Sequence, residues 1–294
     1  EILERHVLSR IVVTGFIKAD AVAHCSDYDI LKFKEKYDIN GFGRIILFAP
    51  TYNDELSALP CVGERIAELA DEKTMVLVKL HGMTDKTWVE RHRSLAASNK
   101  NVVVIEEADF PAAMRCSNVM ISDVSSAAAE YMLLDKPVVF VNNPQRTRYC
   151  RYRPTDIEYA IRDAGIQVES FEELRLAVRL ACSSSDEYRE KRRRYAKRLS
   201  LALDGCSAQR AAEAVMELAC GTRTDHSSGE RISIIVHCSD MRSAERFVAR
   251  LRNDCDGEAQ EIIMVGPRIG SALEGVAAWV ECAELNRKAF LRAI

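Results

Sequence analysis

Along the first half of the chain, apolar positions fall in short, nearly unbroken blocks. Between them lie stretches in which apolar residues recur at helical spacing. Residues 11–14, 45–49, 75–80, 102–105, 119–122 and 138–141 are rich in Val and Ile with almost no polar interruption. Blocks of this length without in/out alternation suit parallel strands covered on both faces. The intervening segments 62–70, 88–97, 111–116 and 126–134 read as helices. Strand–helix alternation at this spacing predicts βαβ units and a doubly wound parallel sheet of the α/β class. Ligands of such sheets sit beyond the carboxyl ends of the strands, so the residues after each strand are the first candidates for chemistry.

Three helical patterns follow, at 171–181, 186–199 and 208–219. The first begins after Ser170 with Glu172 and Glu173 in its opening turn, which suits the helix dipole. The second carries the basic run Arg189-Glu190-Lys191-Arg192-Arg193-Arg194. A polar stretch from Gly221 to Gly229 then reads as a linker. Beyond it the pattern restarts, with strand 232–236, helix 243–251 and strand 261–265. The expected organisation is one α/β domain over 1–220, a linker over 221–230, and the truncated start of a second α/β domain over 231–294.

Composition removes some classes of function. Hydrophobic residues at 48% and charged residues at 29% are ordinary for a globular chain of 294 residues. A net charge of −3 argues against a dedicated nucleic-acid binder. The ten cysteines are scattered singly, with no CxxC and no Cys/His cluster at zinc spacing. They read as reduced, packed thiols of a cytosolic protein, with no metal site assigned. No apolar run approaches the ~20 residues that cross a bilayer. The chain opens on Glu1 rather than Met, and is expected to be a piece of a longer polypeptide.

The densest constellation is Ile121-Ser122-Asp123-Val124-Ser125-Ser126, with Glu130 and then Asp135-Lys136-Pro137 before the next strand. Ser125 and Ser126 open a helix, where free amides and hydroxyls suit a pyrophosphate. Glu130 falls one turn later on the same face, placed to accept from ribose hydroxyls. A plain N-cap pair with a solvated glutamate is the alternative. His81 follows a strand and belongs at the ligand edge of the sheet. Near a diphosphate it would balance charge on the leaving group or act as general acid; a histidine capping a core strand is the alternative. The other histidines, His6, His24, His92, His226 and His237, read as structural.

Thr51, in the segment Pro50-Thr51-Tyr52-Asn53, lies beyond a strand end and either lines a pocket or belongs to an ordinary βα loop. Gly15 suits a close turn. Asp204-Gly205-Cys206-Ser207 precedes a helix, as a second anion site or a simple cap. The basic run at 189–194 suits anionic lipid or a polyanionic acceptor. Tyr188, Arg192 and Tyr195 share one stripe there, so part of it reads as a solvated helix face.

The pattern D-x-S-S-x-x-x-(D/E) followed by a K-P strand resembles the CDP-glycerol glycerophosphotransferase family of teichoic-acid polymerases and primases. More matches lie in the family's order. Thr14-Gly15-Phe16-Ile17-Lys18-Ala19-Asp20 resembles its T-G-x-P-R-x-D segment, and Leu47-Phe48-Ala49-Pro50-Thr51-Tyr52 its L-Y-A-P-T-W segment. Lys79-Leu80-His81 resembles its K-x-H-P segment, and Asp204-Gly205-Cys206-Ser207-Ala208 its D-G-x-A-S segment. The resemblance implies a two-Rossmann (GT-B) architecture whose Rossmann-like C-terminal half binds the CDP-linked donor. It implies His81 as catalytic, and Gly15, Thr51, Asp123, Ser125, Ser126, Glu130, Asp204, Gly205 and Ser207 as donor-binding.

Ile17 and Gly82 replace prolines of that pattern, Val124 replaces an aromatic, and Glu130 stands where Asp is frequent. A Ser…Glu pair before a K-P strand also occurs in GT-B glycosyltransferases and nucleotide-sugar epimerases. A UDP- or CMP-linked sugar donor therefore stays open. The tail, Arg231–Val236 and Glu261–Val265, resembles the first strands of a family 2 (GT-A) glycosyltransferase. Gly266-Pro267-Arg268 stands where acidic residues are expected, and no site is carried over.

The expected activity is transfer of glycerol phosphate, or a similar polyol phosphate, from a CDP-linked donor to a cell-surface polymer in teichoic-acid or capsule synthesis. Nothing compels a divalent metal. A lipid-linked acceptor implies a soluble protein at the inner membrane face, with the acceptor half expected outside this chain. A degenerate nucleotide-binding scaffold is the non-enzymatic alternative.

Overall fold

The computed structural model describes residues 12–150, 153, 157–183, 186–200 and 203–220, and the strands within 233–237, 261–266 and 278–281. The chain divides into two compact units, Gly15–Ala208 and Glu1–Thr14 with Gln209–Ile294.

The larger unit is built on a parallel sheet. Its strands are β1 (Arg44–Phe48), β2 (Thr74–Val78), β3 (Val102–Val104), β4 (Val119–Ser122), β5 (Val138–Val141) and β6 (Ile166–Val168). Their spatial order is β3-β2-β1-β4-β5-β6, every pairing parallel. Successive side chains of a strand point to opposite faces, and here both faces are filled. Ile45, Leu47, Met75, Leu77, Met120 and Phe140 enter one buried cluster. Ile46, Phe48, Val76, Val78, Ile121 and Val139 enter the other. The unbroken apolar blocks thus arise because no strand face is left to water.

On the first face pack α1 (Asp20–His24), α2 (Asp27–Lys36), α5 (Phe110–Cys116), α6 (Ser126–Met132) and Tyr195 of α9 (Arg189–Leu199). On the second lie α3 (Leu59–Val62), the 3-10 segment Gly63–Leu69, and α8 (Phe171–Ala181), with α4 (Lys86–Ser98) contributing Trp88 and Leu95. The short α7 (Ile157–Ala160) precedes β6, and α10 (Ser207–Cys220) starts at the unit's end.

Two expectations need correction. Within 11–14, Val12, Val13 and Thr14 form no strand, and Val12 and Val13 are 41% and 69% exposed; Ile11 lies outside the described residues. Strand propensity is decisive only where a neighbouring strand and a core receive the side chains. The sixth strand is instead β6, a three-residue edge strand whose central Gln167 hid it. The segment 62–70 is 3-10 helix over Gly63–Leu69, following an α-helical turn at Leu59–Val62 that breaks at Gly63 with φ 50°. Helices α1 and α2 were not foreseen, although α2 opens with a full capping box between Ser26 and Asp29.

The K-P pair after α6 has a structural role. Lys136 donates through Nζ to the carbonyls of Met114 (3.1 Å), Arg115 (2.6 Å) and Ser117 (2.8 Å). It thereby caps the C-terminal end of α5, where cations complement the dipole. Burial pulls this ammonium down to about 8. Lys136→Met keeps the stem but leaves those carbonyls without their charged donor. It is expected to cost about 2–3 kcal/mol, measured as a lower urea midpoint; a change below about 0.5 kcal/mol would remove this role.

Within the basic run, Arg192 is fully buried and pairs with Asp186 and Asp135. Asp135 also binds Arg189 at 3.0 Å and Arg193 at 2.9 Å. Much of the run's charge is therefore balanced inside the fold. Among the described residues the cysteines are free, and no helix is long and apolar enough to cross a membrane.

In the smaller unit, β7 (Ser233–His237), β8 (Glu261–Gly266) and β9 (Ala278–Glu281) form a parallel sheet in the order β7-β8-β9. The first two coincide with expected strands; β9 was not foreseen. The expected helix at 243–251 lies outside the described residues.

Candidate functional site

The strand order places a topological switch point between β1 and β4, whose onward connections leave in opposite directions. Sheets of this kind open a crevice there, beyond the carboxyl ends. The residues that follow β1 and β4 meet at this place. Ser122 donates through Oγ to the carbonyl of Ala49 at 2.7 Å. Asp123 is 1% exposed and accepts the Thr51 amide on both carboxylate oxygens at 3.0 Å, and the Ala58 amide at 2.7 Å. One carboxylate thus pins both ends of the loop 51–58. Complete burial pushes its carboxyl up to about 7, against the pull of those amides and of Arg162.

The loop is also braced from β5. Asn143 donates through Nδ2 to the carbonyls of Asp54 (2.7 Å) and Ser57 (2.9 Å), and Ser57 donates through Oγ to the Thr51 carbonyl at 2.7 Å. Asparagine after a strand is common in turns, so its sequence position carried no functional signal.

Ser125 is the N-cap of α6 and accepts from the Ala127 amide at 3.3 Å. Ser126, exposed, shares a hydrogen bond with Glu130 one turn on. Glu130 is 9% exposed, and burial raises its pKa, while Lys18, Lys79 and Ser126 act in the opposite direction. The glutamate is therefore buried among cations rather than solvated.

Beyond β2, Lys79 reaches Glu107 at 2.7 Å, its ammonium lying 4.8 Å from the centre of the Phe110 ring. His81 is half-buried. Its Nδ1 accepts the Met83 amide at 3.1 Å, and its ring lies 4.8 Å from that of Tyr52 at an interplanar angle of 34°. Its pKa is lowered by burial first, then by the charges of Lys79 and Lys18, with Glu107 opposing them. Lys18, Lys79, His81, Glu107, Ser126 and Glu130 form one charged cluster at the ligand edge of the sheet. Lys18 and Lys79 were not among the residues singled out from sequence. Their signal was present, because each stands inside a quoted motif segment.

The segment after residue 203 is placed differently. Asp20, 8% exposed, accepts the amides of Ser207 (3.1 Å) and Ala208 (2.7 Å) at the start of α10. Asp204 accepts the Cys206 amide at 3.0 Å. Gly205, at φ 75°, lies against His24, where a Cβ would collide with the imidazole. The anion at this helix start is thus a protein carboxylate. Gly15 adopts φ 105°, a conformation that suits glycine. Among the described residues, no group of three or more His, Cys, Asp or Glu side chains could hold a metal ion.

The family model described as CDP-glycerol:poly(glycerophosphate) glycerophosphotransferase matches residues 5–217. The chain belongs to this family. Among curated relatives, the teichoic acid glycerol-phosphate primase of Bacillus spizizenii is 30% identical over 112 residues, covering 36% of this chain and 27% of the primase. Among solved structures, a variant of the wall teichoic acid polymerase TagF superposes with TM-score 0.53 at 15% identity, covering 71% of this chain and 52% of that one. A TagF variant soaked with CDPG superposes at 0.52 with 17% identity, covering 71% and 52%. These likenesses concern the fold. The chain spans about half the length of the TagF chains. The glycerophosphotransferase motifs thereby acquire an arrangement: segments 14–20 and 204–208 meet through Asp20, while segments 47–52, 79–81 and 121–130 meet at the switch point.

Proposed function

We propose that the unit Gly15–Ala208 is the donor-binding half of an enzyme that transfers glycerol phosphate, or a similar polyol phosphate, from a CDP-linked donor. The acceptor in this reading is a lipid-linked cell-surface polymer, as in teichoic-acid synthesis, met at the inner face of the cell membrane. The observation that carries the reading is the cluster of Lys18, Lys79 and His81 around Glu130 and Ser126 beyond β2 and β4. Cations and donors concentrated at a strand-end crevice suit a diphosphate.

In the reaction, an acceptor hydroxyl attacks the donor's β-phosphorus and passes its proton to a general base of the acceptor half, expected outside this chain. The bond from that phosphorus to the bridging oxygen breaks, and CMP leaves with the bridging oxygen and its negative charge. His81 donates a hydrogen bond to phosphate oxygen as this charge develops, while Lys79 and Lys18 balance it electrostatically. Asp123 holds the 51–58 loop that closes one side of the crevice, and Glu130 accepts from ribose hydroxyls. Gly15 and the Asp204-Gly205-Ser207 segment, also counted with the donor site by family resemblance, support its far edge through Asp20. Residues 231–294 are proposed as the start of a glycosyltransferase-like domain after a linker at 221–230, a reading supported by the parallel strands β7–β9.

Calorimetric titration of this chain with CDP-glycerol, CDP, UDP and UDP-N-acetylglucosamine tests the reading. The expected result is cytidine-selective binding, weakened in Lys79→Ala and His81→Ala. Selectivity for uridine would transfer the proposal to a sugar donor. A folded chain that binds no nucleotide would leave the scaffold role.

A further inference from the structure

Within the charged cluster, the His81 ring is contacted by the Met83 amide and by the Tyr52 ring. The Met83 amide occupies Nδ1 as a donor, so that nitrogen is an acceptor and the ring proton of the neutral imidazole lies on Nε2. Among the described residues, Nε2 has no hydrogen-bond partner. Tyr52 also packs against the ring, centroids 4.8 Å apart and the planes tilted by 34°, and it follows Thr51, the residue whose amide is clasped by Asp123. A chain of contacts therefore runs from the buried carboxylate through the loop to the imidazole.

We infer that Tyr52 is a positioning residue that, with the Met83 amide, holds His81 in the tautomer protonated on Nε2 and presents that N–H to an anionic phosphate oxygen of the donor. Only the assignment of the ligand rests on the function proposed above; the tautomer and the role of Tyr52 stand on the geometry. The charged and titratable groups facing the imidazole are Lys79 at the end of β2, Lys18 before α1, Glu107 before α5, and Tyr52 itself. Burial and the charges of Lys79 and Lys18 favour the neutral ring, with Glu107 opposing them. A neutral Nε2–H donor needs no proton from solvent to engage phosphate. It does need the ring to hold its angle, because a hydrogen bond weakens steeply as it bends. That requirement is what an exposed tyrosine on the ring face satisfies.

The test is long-range 1H–15N correlation spectroscopy of the 15N-histidine-labelled chain at neutral pH. His81 is assigned by the signal lost in His81→Gln. The expected spectrum has a pyridine-like Nδ1 and a pyrrole-like Nε2. A pyrrole-like Nδ1, or a doubly protonated ring, would overturn the tautomer. In Tyr52→Ala the two nitrogens are expected to move toward averaged shifts, and CDP-glycerol affinity to fall by up to ~10-fold, no further than in His81→Ala, the scale for a weakened hydrogen bond to a charged group. Tyr52→Phe is expected to restore both, since the ring rather than the hydroxyl makes the contact. Tyr52 is 41% exposed, so its truncation leaves the core untouched. Unchanged shifts and affinity in Tyr52→Ala would exclude the positioning role. If no nucleotide binds but the spectra behave as stated, the donor reading fails while the tautomer stands.

Discussion

His81→Ala in the complete enzyme is expected to lower the rate of glycerophosphate transfer about 10²–10³-fold, the loss seen when a preorganised donor to a developing anion is removed. The reason lies in when the hydrogen bond acts. Negative charge on the bridging oxygen grows as the bond to the β-phosphorus breaks, so an N–H aimed at phosphate stabilises the transition state more than the bound donor. The effect should therefore fall mainly on kcat, with a smaller change in donor affinity. His81→Gln retains an N–H near the position of Nε2 and is expected to recover part of the loss. Steady-state kinetics over a donor series separates the outcomes. An unchanged kcat in His81→Ala would remove the histidine from the chemistry, and a pure KM effect would leave it as a binding residue only.

Asp123→Ala is expected to destabilise the larger unit by about 3–5 kcal/mol, on the scale of breaking a buried charged network. The substitution leaves the buried amides of Thr51 and Ala58 without acceptors, and each such orphan costs about 1–3 kcal/mol. The carboxyl has a pH signature as well. Its folded-state pKa lies near 7, above the ordinary 3.8. Between those values the folded state holds a proton that the unfolded state has released, so stability falls as pH rises from about 4 to about 7. At roughly 1.36 kcal/mol per unit, the full shift is worth on the order of 4 kcal/mol.

Glu130, also raised by burial, acts in the same direction. His81, whose pKa is lowered, acts in the opposite direction below its ordinary 6.5. Urea unfolding at pH 5.5 and 7.5 is expected to show less stability at the higher pH, and Asp123→Asn is expected to flatten that difference. Equal slopes in the two proteins would show that Asp123 does not titrate in this window.

The location of both residues was legible from the chain, because each follows an apolar block that becomes a central strand. Their roles differed in legibility. His81 follows a strand, where a capping histidine and a catalytic one look alike, and only the K-x-H-P resemblance favoured chemistry; its Nδ1 in fact accepts the Met83 amide. Asp123 read as one member of a serine-rich anion site, but its oxygens are engaged by the Thr51 and Ala58 amides. Lys136 shows the same limit, since the K-P signature conceals a cap on α5 that lies about twenty residues earlier. Lys18 and Asp20 stand two residues apart, yet one joins the charged cluster and the other caps α10.

Sequence alone determined the α/β class and five of the strands of the parallel sheet. These follow from local periodicity and from the rule that a strand without polar positions must be covered on both faces. Tertiary structure alone decided which strands are neighbours, that Val12 and Val13 lie outside the sheet, and that β6 closes it. It also decided which carboxylate serves a backbone amide and which faces a cation. Those outcomes depend on contacts between residues tens to almost two hundred positions apart, as between Asp20 and Ala208. No local pattern records such contacts, because each partner by itself is an ordinary polar residue with several ways to satisfy its hydrogen bonds.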